Sequence, residues 1–112
     1  IVIIDYNKKQ LDGKLEDIIN PFDIAKKMEA FGFRTIRANG QDEESISDAI
    51  DEAKAVKDSA VCIVMDTIKA QGVPYYYDRS DSHSPKFGAE ADAALDSVIA
   101  ELEAFIDENG GM

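Results

Sequence analysis

Ile1-Val2-Ile3-Ile4-Asp5-Tyr6-Asn7-Lys8-Lys9-Gln10-Leu11-Asp12-Gly13 is the stretch whose reading decides the fold. Four consecutive apolar residues run into a polar Asp-Tyr-Asn end and a lysine-rich turn that closes on Asp-Gly. An unbroken apolar run predicts a strand buried on both faces, inside a parallel sheet. In open α/β sheets, ligands bind just beyond the carboxyl ends of such strands. Asp5, Asn7 and the following turn are therefore expected where a site would form. The plainer alternative is that Asn7 ends a strand and opens a turn, as Asn commonly does. Spacing alone favours that alternative. Since the sequence starts inside what reads as a central strand, with no cap or turn ahead of it, it is expected to be a fragment of a longer domain.

Downstream, Lys14 to Asn20 reads as a loop with a short helical turn. Asn20-Pro21-Phe22-Asp23 predicts a helix start, with Asn20 as N-cap, Pro21 at the first helical position and Asp23 in the first turn. Ile24, Ala25, Met28 and Phe31 follow at helical spacing, and Gly32 is a C-terminal stop. These four residues read as a core face rather than a partner-binding stripe. Phe33 to Ala38 predicts a second strand ending at Asn39-Gly40. Asp42 can cap a second helix with Ile46, Ala49, Ile50 and Ala53 on one face and an acidic solvated face opposite. Calcium ligands would need another spacing and a Gly at the turn.

Ala60-Val61-Cys62-Ile63-Val64-Met65 is the strongest strand in the sequence. Strands alternating with helices imply βαβ units, so the fold class is α/β: a three-layer, mostly parallel sheet with flanking helices. Ile68 to Gly88 shows no period and makes a loop of about twenty residues, longer than compact domains usually carry without a functional reason. It holds Tyr75, Tyr76, Tyr77 and the sole histidine, His83. A last helix has Ala91, Leu95, Val98, Leu102, Phe105 and Ile106 on one face and ends at Gly110-Gly111. Residues 1–112 thus read as a single partial domain.

The bulk numbers exclude several classes. With 23 acidic and 12 basic residues the net charge is −11, which argues against nucleic acid or an anionic membrane surface as a partner. No apolar run nears the roughly 20 residues that span a bilayer, and no signal-peptide pattern is present. The single Cys62 forms no disulfide within the chain and reads as a small core residue, which fits a reduced, cytoplasmic setting.

Three places can carry chemistry: Asn7 with its turn, Thr67-Ile68-Lys69-Ala70-Gln71-Gly72, and Asp81-Ser82-His83. Parallel topology puts the first two on the same sheet edge. A lone loop histidine is more often solvent-exposed than catalytic, although so long a loop raises the functional odds. The tyrosines can stack on a ligand or pin the loop.

The opening strand, Asp-x-Asn and Leu-Asp-Gly resemble the second half of the thiamine diphosphate fingerprint of transketolases. The resemblance continues with Glu29-Ala30-Phe31-Gly32-Phe33, Ala38-Asn39-Gly40-Gln41-Asp42, Thr67-Ile68-Lys69-Ala70-Gln71-Gly72 and Asp81-Ser82-His83. It covers nearly the whole chain, and its strength lies in the order and spacing of motifs that are individually weak. It implies that the Asn7 side-chain oxygen and the Lys9 main-chain carbonyl bind Mg²⁺ (or Ca²⁺). It implies further that Leu11 packs against the thiazolium ring and that His83 assists hydrogen bonding or proton transfer. The implied reaction moves a two-carbon ketol unit between sugar phosphates, as in the pentose phosphate pathway, with thiamine diphosphate supplying the hard chemistry.

Departures from the pattern are Lys9 where an apolar residue is usual, Ala70 and Ser84 in place of glycines, and Ser80 where a histidine sometimes stands. The Gly-Asp-Gly half of the fingerprint lies upstream of Ile1 on this reading, and a pyrimidine-binding domain or subunit supplies the activating glutamate. The chain alone is then expected to be inactive, and the complete enzyme to be a homodimer or heterotetramer. The alternatives are a deoxyxylulose-phosphate synthase, a dehydrogenase subunit, or a non-catalytic α/β interaction module.

Overall fold

In a computed structural model describing residues 1–80 and 83–110, the chain runs from β1 (Val2–Tyr6) through a small hairpin, β2 (Lys9–Gln10) and β3 (Gly13–Lys14). It continues with α1 (Leu15–Ile18), α2 (Ile24–Ala30), β4 (Arg34–Asn39), α3 (Glu43–Ala55) and β5 (Val61–Asp66), then a 3₁₀ turn at Pro74–Tyr76 and α4 (Ala89–Glu108). Two compact units divide it, Ile1–Lys69 and the residues from Ala70 onward.

The first unit is an α/β sandwich of three layers. Its sheet has the order β1-β5-β4, all parallel, with Ile63 registered between Ile3 and Ile36. The chain moves outward from β1 to β4 and then back to β5. Right-handed crossovers on opposite headings put the two connecting helices on opposite faces. The core accordingly falls into two halves. Val61 and Ile63 pack with Ile36, Ala38 and the α3 residues Ala49 and Ala53, while Cys62 and Val64 pack with Ala25, Ile24 and Met28 of α2 and with Phe33. That is why β5 needs an unbroken apolar run: alternate side chains serve alternate halves.

The sheet centre is β5, which corrects the expectation that the opening strand is buried on both faces. In this chain β1 lies at the sheet edge. Ile3 is 51% exposed even though its row partners Ile63 and Ile36 are buried. Ile4 and Tyr6, on the α2 side, are half-buried. The reason is coverage: α3 packs on β4 and β5 and leaves that side of β1 bare.

Two further corrections concern α2. Its N-cap is Asp23, whose carboxylate accepts the Lys26 N–H at 3.2 Å, not Asn20. Asn20 instead closes an Asx turn by accepting the Phe22 N–H at 2.8 Å, and Phe22 at φ 51° interrupts any helix through Pro21. Phe31, expected in the core, is 77% exposed. The helix ends in a Schellman motif: Gly32 at φ 88° donates to Glu29 O (2.9 Å) and Phe33 donates to Met28 O (3.0 Å). Reversal at Gly32 sends Phe33 inward beside Met28, in the place expected of Phe31. Asp42 does cap α3, accepting the Glu44 N–H at 3.1 Å.

In the second unit, α4 buries Ala91 and half-buries Leu95 and Val98. Its later apolar residues Leu102, Phe105 and Ile106 are exposed, so only the first half of the expected face is covered. No helix among the described residues is long and apolar enough to cross a membrane.

Candidate functional site

The register brings Tyr6, Asp66 and Asn39, the last residues of three parallel strands, into one row. Everything just beyond that row shares the carboxyl edge of the sheet. Thr67 continues the ladder by donating its N–H to Tyr6 O at 3.4 Å, and its hydroxyl hydrogen-bonds the Asp5 carboxylate. Gly40 donates to Asp66 O at 2.9 Å. A side chain at position 40 would not fit, because its Cβ would lie 2.3 Å from Thr67 Cγ2 and 3.1 Å from the Asp66 carbonyl oxygen. The close approach of the Thr67 methyl and the Asp66 carbonyl explains glycine just after β4.

Asn7 leaves β1 into a turn of defined shape. Its Oδ1 accepts the Lys9 N–H at 2.9 Å, and Lys8 between them takes the left-handed φ of 62°. Lys8 O in turn accepts the Leu15 N–H at 2.8 Å, tying the end of the β2–β3 hairpin. Since Lys8 and Leu15 are hydrogen-bonded across the hairpin and Lys9 pairs with Lys14, Lys9 occupies a non-hydrogen-bonded position. Its carbonyl consequently points away from the hairpin ladder. Lys8 reaches back over the Tyr6 ring, 5.7 Å from the centroid, to pair with the Asp66 carboxylate.

An Asn amide oxygen has two lone pairs, so Asn7 Oδ1 can accept the Lys9 N–H and still face a cation. Together with the Lys9 carbonyl it offers hard oxygen donors, the type Mg²⁺ and Ca²⁺ prefer. Two such donors do not complete a coordination sphere, and no cluster of three His, Cys, Asp or Glu suited to a metal occurs among the described residues. These two donors would fit a hard divalent cation whose coordination sphere is completed from outside these residues. Gln10 Nε2, shielded from solvent with no hydrogen-bond partner, is a donor in the same hairpin that an anionic oxygen would satisfy. Leu11, at the hairpin tip, is exposed.

Thus Asn7, Lys9, Leu11 and Thr67 belong to one unit and its sheet edge. The segment Thr67–Gly72 straddles the boundary between units. Ala70, where the resemblance expects a glycine, stands at φ 61°, an angle a glycine adopts without strain. His83 is exposed and belongs to the second unit; Asp81 and Ser82 lie outside the described residues. The tyrosines make contacts within the loop itself. Tyr75 and Tyr76 meet edge-to-face at 4.9 Å, Arg79 stacks over Tyr75 at 4.9 Å, and the Gly72 N–H donates to Tyr77 Oη at 3.0 Å. The Lys8–Asp66 ion pair beside this turn is a contact that sequence reasoning missed. The sequence offered only an aspartate ending the strongest strand; its register with the end of β1 is a tertiary fact.

The chain matches the family model described as transketolase, thiamine diphosphate binding domain, over residues 1–100. It is 33% identical over 104 residues to a 6-deoxy-6-sulfo-D-fructose transketolase subunit from Clostridium sp. (strain MSTE9), covering 92% of this chain and 36% of that one. It is 32% identical over 103 residues to an apulose-4-phosphate transketolase subunit from Actinobacillus succinogenes, covering 90% and 37% respectively. Transketolase 1 from Escherichia coli (strain K12) is 35% identical over 96 residues, 85% of this chain and 14% of that protein. The chain therefore spans little more than a third of the two subunits and a seventh of the E. coli enzyme. With the strand-end turn and the family match in agreement, the chain belongs to the thiamine diphosphate-binding domain of the transketolase family.

Proposed function

We propose that this chain forms the metal–diphosphate end of the cofactor site in a transketolase that moves a two-carbon ketol unit between sugar phosphates. The observation that carries the proposal is the Asn7–Lys9 turn, which offers two oxygen donors at the carboxyl edge of a parallel sheet. Asn7 Oδ1 and Lys9 O bind Mg²⁺, and the hairpin tip with Leu11 lines the thiazolium. Thiamine diphosphate, when bound, supplies the carbanion-stabilising chemistry. The role of this chain is to bind and orient that cofactor. His83 assists proton transfer or hydrogen bonding near the reacting atoms.

Two of the relatives are named as subunits. That supports a working enzyme whose pyrimidine-binding part is either a domain of the same polypeptide, giving a homodimer, or a separate subunit, giving a heterotetramer; the setting is cytoplasmic. Residues 1–112 act as one part of a longer diphosphate-binding domain, and by themselves transfer nothing.

The test uses the full-length protein with its partner. Asn7→Ala should weaken Mg²⁺-dependent thiamine diphosphate binding by on the order of tenfold or more, measured by calorimetry. His83→Ala should lower turnover with cofactor affinity retained. Unchanged cofactor affinity in the Asn7 variant would remove the ligand role, and the absence of thiamine- and Mg²⁺-dependent ketol transfer would remove the activity.

A further inference from the structure

Lys8 sits between the two proposed metal donors, yet nothing in the ligand reading uses its side chain. Its backbone stands at φ 62°, a conformation unfavourable for a residue with a Cβ. Such an outlier persists only where its surroundings hold it. Here three restraints converge. Lys8 O accepts the Leu15 N–H at 2.8 Å, the Lys9 N–H donates to Asn7 Oδ1 at 2.9 Å, and the Lys8 ammonium pairs with the Asp66 carboxylate after crossing the Tyr6 ring. The first two are local to the turn. Only the third reaches the sheet, joining the turn to the end of the central strand, 58 residues away in sequence.

We propose that Lys8 and Asp66 are positioning residues that clamp the Asn7–Lys9 turn to the end of β5. The clamp holds the Asn7 side-chain oxygen and the Lys9 carbonyl toward the metal of the bound diphosphate. The proposal rests on the ligand roles given above to Asn7 and Lys9. β1 is an edge strand, so the turn after it has a hydrogen-bonded strand neighbour on one side only, β5. A lateral restraint from Asp66 limits rotation of the turn about the strand axis. Groups that orient metal ligands from behind typically matter tenfold or more to affinity. An exposed ion pair without such a task contributes little. Solvent reaches both partners, so the clamp is weakened by added salt.

The experiment is a double-mutant cycle in the full-length protein with its partner, read by calorimetric affinity for thiamine diphosphate at fixed Mg²⁺ and by thermal midpoint. Lys8→Ala and Asp66→Ala should each weaken cofactor binding roughly five- to tenfold. The double variant should lose no more than either single one, and Lys8→Arg should retain affinity. Thermal midpoints without cofactor should barely move, which separates positioning from a merely structural role. Reversing the pair, Lys8→Asp with Asp66→Lys, should recover part of the affinity lost by either charge change alone. Wild-type affinity in both single variants, or losses that simply add, would overturn the clamp. Asn7→Ala serves as the reference. If it weakens binding while the Lys8 and Asp66 variants do not, the clamp fails and the ligand reading stands. If Asn7→Ala also binds normally, both fail.

Discussion

Asp23 caps α2 through the Lys26 N–H and at the same time reaches the Arg37 guanidinium on β4. The backbone N–H of Lys26, reinforced by Arg37, holds its carboxyl below the ordinary value of 3.8, with desolvation opposing. A depressed carboxylate stabilises the fold above its unfolded pKa, and that contribution is lost as pH falls through the folded value. Asp23→Asn keeps a capping oxygen but removes the charge. The variant should therefore be less stable than the parent at neutral pH, and the difference should vanish on acidification below the normal aspartate range. Urea titrations across that range measure it, and a constant gap would deny the ionic part. Cys62, enclosed between strands, is the opposite case: burial pushes its thiol up, which agrees with its reading as an inert core residue.

The elements show where local rules hold and where packing overrides them. The Asp42 cap and the Gly32 stop are legible because each satisfies helix-end groups within a few residues. Phe31 misleads because helical spacing continues on paper past the point where Gly32 reverses the chain. The site turn is legible as a strand end, but its fit to a cation depends on the register of a two-residue hairpin. Gly40 carries the element-scale prediction. A methyl group there meets the Thr67 methyl and the Asp66 carbonyl, so the Thr67 side chain or the ends of β4 and β5 must shift. Gly40→Ala should cost about 1–3 kcal/mol in denaturant unfolding. Because Thr67 also holds Asp5, the variant should disturb the NMR signals of Asn7 more than those of the distal end of α3. A neutral substitution would mean that the strand ends are not tightly joined.

For the molecule as a whole, the two half-cores meet at β5, and Ile63 is the largest wholly enclosed side chain together with Cys62. Removing most of that side chain should destabilise by roughly 2–5 kcal/mol, a large share of what a domain of this size possesses. Ile63→Ala should thus lower the denaturant midpoint steeply. Ile3→Ala on the half-exposed edge strand should cost much less when the chain is measured as it stands, and equal losses would contradict the assignment of β5 as the sheet centre.

The sequence by itself determined the alternation of strands and helices, the parallel sheet, the helix ends at Gly32 and Asp42, and the family. Each of these is written in periodicity, in side chains that act within a few residues, or in the order of short motifs along the chain. Only the tertiary structure decided which apolar strand is central. Two runs that look equally buried in one dimension differ once α3 covers β5 and leaves one side of β1 bare. It also decided the pairings of Lys8 with Asp66 and Asp5 with Thr67, 58 and 62 residues apart. No local rule can match such partners, because their meeting is set by strand order and register, and those follow from how the two half-cores close around β5.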